Sequence, residues 1–192
     1  MKKLTAILVS AMMMVLMVAA GCAETASPDL FSQLNGKIFE FSSGAGAWGT
    51  ELTMGENGAF TGNYHDSEMG ETGEGYPDGT VYGCMFHGLL TDPQPVDEYT
   101  WTVRVSVALD EGQVPEAIED GIRYVTSPPY GLAKAEKVTV FLPGTPVEHL
   151  PEAFIPWSHL LETDPEAKEL PCYAVWSEAD EAGFISYLPL AE

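Results

Sequence analysis

Between positions 99 and 107 apolar and polar residues alternate without interruption. Tyr99, Trp101, Val103, Val105 and Val107 share one parity, and Thr100, Thr102, Arg104 and Ser106 take the other. Successive side chains of a strand point to opposite faces, so the pattern predicts a half-buried β-strand. Trp48, Thr50, Leu52 and Met54 alternate in the same way with Gly49, Glu51 and Thr53. After Gly55-Glu56-Asn57-Gly58 the rhythm resumes at Phe60, Gly62 and Tyr64, which predicts a β-hairpin with Asn57-Gly58 at its tip. Shorter strand signals cover 37–42, 80–88, 122–126, 137–142, 173–177 and 184–188.

One stretch breaks the period of two. Thr145-Pro146-Val147-Glu148 has the order of a capping box with proline at the first helical position. Phe154, Trp157 and Leu161 follow at helical spacing. Pro151 and Pro156 interrupt the run, and a proline inside a helix costs about 3 kcal/mol, so a broken helical insertion near 146–161 is predicted. An acidic, proline-bounded loop, 162–171, follows it. Many short strands with frequent turns and one helical insertion predict a mainly β chain, an antiparallel barrel or a sandwich.

The N-terminus carries a separate signal. Lys2 and Lys3 precede an uncharged apolar run from 4 to 20, and Gly21-Cys22 closes it, the layout of an export signal. Val18-Ala19-Ala20-Gly21-Cys22 resembles the lipobox of bacterial lipoproteins, with Ala19 in the place where leucine is commonest. The resemblance implies cleavage before Cys22 and diacylation of that cysteine, and hence attachment to the outer face of the cytoplasmic membrane. An ordinary secretory cleavage and an uncut anchor are the alternatives. On the lipoprotein reading, 1–21 is signal peptide, 22–33 is the lipidated cysteine and a polar tether, and 34–192 is one extracytoplasmic domain.

Charge narrows the partners. Eight Lys+Arg face 29 Asp+Glu, and loss of Lys2 and Lys3 with the signal takes the formal charge from −21 to −23. Between Lys37 and Arg104 stand eleven acids and no base. Such a field repels nucleic acid and suits a cationic protein partner or a divalent metal; it also serves solubility. Apolar residues at 45% provide for a packed core, so the charge does not imply disorder.

With Cys22 assigned to lipid, Cys84 and Cys172 remain as a candidate disulfide or as two buried thiols. The glycine-rich segment 63–79 gathers Asp66, Glu68, Glu71, Glu74 and Asp78, hard oxygen donors of the kind calcium takes, though the EF-hand order is missing. A solvated acidic loop is the competing reading. No catalytic residue is assigned: His65-Asp66 are neighbours on a strand and point apart, no G-x-S-x-G occurs, and the surroundings of Cys84 are acidic. No C-x-x-C or transition-metal set is present, and no cofactor other than calcium is implied. Trp48, Tyr64, Trp101 and Trp176 are candidates to line a ligand cavity if a barrel stays open, or to fill it as core.

Asn35-Gly36-Lys37-Ile38-Phe39-Glu40-Phe41, then Trp48…Leu52…Gly58-Ala59-Phe60-Thr61-Gly62, resembles the opening hairpins of bacterial lipocalin-like domains. The glycine–x–tryptophan signature of lipocalins is replaced by Gly36-Lys37-Ile38. Across most of the mature domain the chain is similar to uncharacterised lipoproteins of gut Firmicutes. Ser43-Gly44-Ala45-Gly46-Ala47-Trp48, Gly62-Asn63-Tyr64-His65-Asp66, Gly73-Glu74-Gly75-Tyr76-Pro77, Pro128-Pro129-Tyr130-Gly131-Leu132 and Phe141-Leu142-Pro143-Gly144-Thr145 carry that similarity. Together these readings lead to the expectation of a membrane-anchored binding module for a small apolar ligand or a cationic protein. A calcium-stabilised adhesion module and an envelope hydrolase are the alternatives.

Overall fold

A computed structural model of the protein describes residues 29–187. Its strands are β1 (Ile38–Ser42), β2 (Trp48–Met54), β3 (Ala59–Glu68), β4 (Thr80–Pro95), β5 (Thr100–Leu109), β6 (Glu116–Glu119), β7 (Ile122–Thr126), β8 (Lys137–Phe141), β9 (Ala174–Ser177) and β10 (Ala182–Tyr187). Three short helices accompany them: α1 (Leu30–Leu34), α2 (Ile155–Ser158) and α3 (Leu160–Thr163). Eight strands close into an antiparallel barrel in the order β1-β2-β3-β4-β5-β8-β9-β10, with β10 pairing back onto β1. The chain is therefore mainly β, and its barrel is of the lipocalin-like type.

The alternation seen in the sequence sets the register. Phe39 and Phe41, Leu52 and Met54, Phe86 and Leu90, Val103 and Val105, and Phe184 all belong to one buried cluster inside the barrel. One end is stoppered by α1, whose Leu30 and Leu34 are fully buried. Leu30 lies within the stretch 22–33 read from the sequence as tether and Leu34 just after it, yet both pack as core, because an apolar pair four apart on a helix turn presents one face. At the other end the segment 127–136 crosses over the barrel. Gly131 has a positive φ of 92° and lies against Phe41, Ala182 and Phe184, so a side chain there would collide with the core. The buried Thr50 hydroxyl donates to the carbonyl of Tyr130 (2.7 Å), which locks this plug to the wall.

β6 and β7 form a hairpin outside the barrel circuit. β5 pairs β4 from Pro95 back to Phe86; beyond that, β7 pairs the first residues of β4 in parallel, Thr80–Gly83 against Arg123–Thr126. The helical insertion lies on the outer face of β8, β9 and β10, where Phe141, Leu150, Phe154, Leu160, Leu170 and Trp176 make a second core. Gly183 permits that contact, since a Cβ there would stand 2.7 Å from Trp157 Cβ. The expected capping box is not formed: the Thr145 hydroxyl donates back to the Leu142 carbonyl (2.7 Å), and 147–149 is a single 3-10 turn. Pro151 and Pro156 leave room only for one-turn pieces.

Candidate binding surface

Large aromatic side chains occupy the barrel interior. Phe39, Phe86 and Phe184 are inaccessible to solvent, and Phe41 nearly so. At the plugged end Trp48, Tyr130 and Trp157 surround Phe41, with ring centroids 4.7–5.2 Å away, and Tyr64 lies beside Tyr130 (6.5 Å). Of the four residues considered as cavity lining, Trp48, Tyr64 and Trp101 pack against this inner core. Trp176 lies on the other side of the wall, against Phe154.

The two cysteines are free and belong to different sides of the wall: Cys84 to the inner cluster and Cys172 to the outer one. Burial pushes both thiols up to about 11; for Cys84 the Asp110 carboxylate adds to the effect. Neither is a thiolate at neutral pH, so neither is poised as a nucleophile.

In the acidic segment after β3, Glu71 is engaged by a cation of the chain itself. The Arg123 guanidinium of β7 bonds the Glu71 carboxylate and lies over the Tyr76 ring, and the Tyr82 hydroxyl donates to the same carboxylate (2.8 Å). The Thr80 hydroxyl donates to the Glu71 carbonyl (2.9 Å). Asp66 instead accepts from the Tyr64 hydroxyl (3.5 Å). Glu68, Glu74 and Asp78 do not join these carboxylates: among the described residues no three or more His, Cys, Asp or Glu side chains are placed to hold a metal ion. His65 and His87 do not meet across the sheet either. His65 stands opposite Gly83, while His87 stands opposite Thr61 and pairs with Asp110 (2.7 Å).

What the sequence reading did not single out is the opening where β5 hands over to β7. At Cys84 and Met85 of β4 neither strand continues. Asp110 N–H donates to the Met85 carbonyl (3.0 Å), and Ser127 N–H donates to the Gly83 carbonyl (3.1 Å). Between them the Gln113 side chain stands in for a strand, accepting from Met85 N–H (2.7 Å) and donating to Met85 O (2.8 Å). Its amide oxygen satisfies the Met85 N–H, and its NH2 adds a second donor to a carbonyl already bonded by Asp110. A groove of ≈ 470 Å³ results, with Tyr64, Val81, Cys84, Met85, Val114 and Tyr124 among its lining. Met85, Val114 and Tyr124 are 53%, 62% and 42% exposed. Leu109 continues the exposed apolar surface beside it, facing Phe86 in the β4–β5 register. Asp110, Glu111 and Glu116 lie on the flanking segments, and no lysine or arginine lines the groove. On its floor Tyr64 is pushed up to about 12, first by burial and then by Asp66. The floor therefore presents neutral hydroxyl and thiol groups under an apolar, acid-flanked rim.

Comparison with protein-family models, with curated proteins and with solved structures gives no match. Among the described residues no helix is long and apolar enough to cross a membrane. Cys22 lies outside the described residues.

Proposed function

We propose that the chain is a lipid-anchored binding module, held at Cys22 on the outer face of the cytoplasmic membrane, that takes a protein partner on its outer wall. The observation that carries this reading is the aromatic interior: where a lipocalin-like barrel would hold a small apolar ligand, the buried rings of Phe39, Phe86 and Phe184 stand beneath the 127–136 plug. Binding then falls to the surface. The groove beside Met85 supplies exposed apolar area of the sort that marks interaction sites, and its acidic flanks select a partner segment with an apolar residue between lysines or arginines.

The test is a solution NMR titration of the full chain, solubilised in neutral detergent, with a short peptide of alternating lysine and leucine. Saturable shifts are expected at Met85, Gln113, Val114 and Tyr124. Val114→Lys, at an exposed position, is expected to weaken binding about tenfold, the equivalent of 1.4 kcal/mol, through lost apolar contact and like-charge repulsion. Shifts centred on Phe86 and Phe184 upon adding laurate would instead establish an interior ligand and overturn the reading. Metabolic labelling with an alkyne fatty acid, lost in Cys22→Ala, tests the anchor.

A further inference from the structure

A second cleft, of ≈ 340 Å³, lies on the outer face of β1 and β10 beside α2. Its floor is Gly183 and Ile185, one wall is Trp157 to His159, and the other is Glu40 and Ser42, with Tyr187 at one end. The indole is fixed in place. Its Cβ rests over Gly183, and its ring meets Phe41 edge-on at 4.7 Å and Trp48 at 6.3 Å.

The charge in this cleft is unbalanced by construction. Glu40 stands directly opposite Glu51 in the β1–β2 register, and like charges so placed repel. Glu51 is relieved by the Tyr187 hydroxyl, which donates to it. Glu40 has no hydrogen bond or ion pair among the described residues, and His159 is turned to Glu162 (3.0 Å). A carboxylate without a counter-charge therefore borders a cavity whose other side is a rigid indole.

We propose that this cleft binds a small organic cation, its alkylated ammonium head held between the Trp157 ring and the Glu40 carboxylate. An aromatic face attracts such a head through the ring quadrupole, and the carboxylate adds a point charge. A metal ion is disfavoured because calcium requires six to eight oxygens, and Glu40 alone is free here. The volume lies at the lower end of the range for small-ligand sites, enough for a trimethylammonium group and a short chain. The inference is independent of the groove beside Met85.

The experiment titrates the full chain in neutral detergent with choline and, separately, with 3,3-dimethylbutan-1-ol, which has the same shape without the charge. The readout is the indole N–H resonance of Trp157, assigned through Trp157→Phe. Choline is expected to shift that signal saturably, with the alcohol about tenfold weaker. Glu40→Gln should reduce choline affinity about tenfold while leaving the remaining spectrum unchanged, and Glu162→Gln should change it less than about twofold. Equal binding of choline and the alcohol, no saturation by choline, or full affinity in Glu40→Gln would each overturn the proposal. So would calcium chloride shifting the same signal more tightly than choline.

Discussion

Gly62 and Gly88 face phenylalanines across the β3–β4 pair in a reciprocal arrangement: Phe60 opposite Gly88, and Gly62 opposite Phe86. Each ring lies over the glycine of the partner strand, in the space a Cβ would take. The glycines that weaken a strand in isolation here let two large rings fit side by side inside the barrel. Gly88→Ala would overlap the Phe60 ring and approach the Ser106 carbonyl to 2.5 Å. Overpacking of this kind costs about 1–3 kcal/mol, to be read from the urea midpoint. Gly70→Ala, with nothing within 4 Å of the new methyl, is the control and should change stability by less than about 0.5 kcal/mol. A second residue-scale expectation concerns alkaline pH. Cys84 and Cys172 are raised to about 11, and Tyr64 and Tyr187 to about 12; in an unfolded chain they would ionise near their ordinary values of about 8.5 and 10. Between the unfolded and folded values the unfolded chain has lost protons that the folded chain keeps, so stability falls as pH rises. The thiols govern the window from about 8.5 to 11 and the phenols that from about 10 to 12. Urea midpoints at pH 8 and 10.5 should differ, with the double variant Cys84→Ala, Cys172→Ala giving a flatter profile up to pH 11. A wild-type midpoint that does not move would refute the linkage.

At the scale of elements, every strand but β6 was signalled in the sequence, though not every strand end. The alternation over 48–54 and over 99–107 matches β2 and β5 nearly residue for residue, because each strand has its inner residues in the barrel core. β4 runs on to Pro95, past the predicted end, through a register shift between Thr91 and Gln94 that no alternation signals. β6 was not foreseen: Glu116-Ala117-Ile118-Glu119 has no buried face and forms only by pairing with β7. The helical insertion was recognisable, but which wall it covers depends on the two-sided burial of β9, a tertiary fact. The binding groove was invisible for the same reason, since it arises where β5 and β7 share one edge of β4. The acidic segment, singled out as candidate calcium ligands, is tied to β7 through Arg123 and Glu71. Arg123→Met should therefore speed amide exchange across 69–79 while leaving β8 to β10 unchanged, a pattern hydrogen-exchange mass spectrometry resolves. Uniform acceleration would mean that the guanidinium supports the whole barrel.

Across the whole molecule, charge is what the fold leaves unbalanced. Against 29 acids, the arginine ion pairs among the described residues are Arg104–Asp92 and Arg123–Glu71, and no lysine there has a carboxylate within 4.0 Å. A compact chain of this charge repels itself, and salt relieves the repulsion: the screening length falls from about 30 Å at 0.01 M to about 8 Å at 0.15 M ionic strength. Raising sodium chloride over that range should raise the melting temperature and, by the same screening, weaken binding of the lysine–leucine peptide. The two effects have opposite signs and one cause, so a change in fold stability alone cannot produce both. Calcium chloride at matched ionic strength separates screening from a specific site. With Glu71 engaged by Arg123 and Asp66 by Tyr64, the carboxylates of 66–78 do not converge, and calcium should raise the melting temperature no more than sodium does. A larger rise with calcium, abolished in Asp78→Asn, would mean that the segment rearranges around the ion. The chain would then be a calcium-stabilised module, with the groove beside Met85 secondary to it.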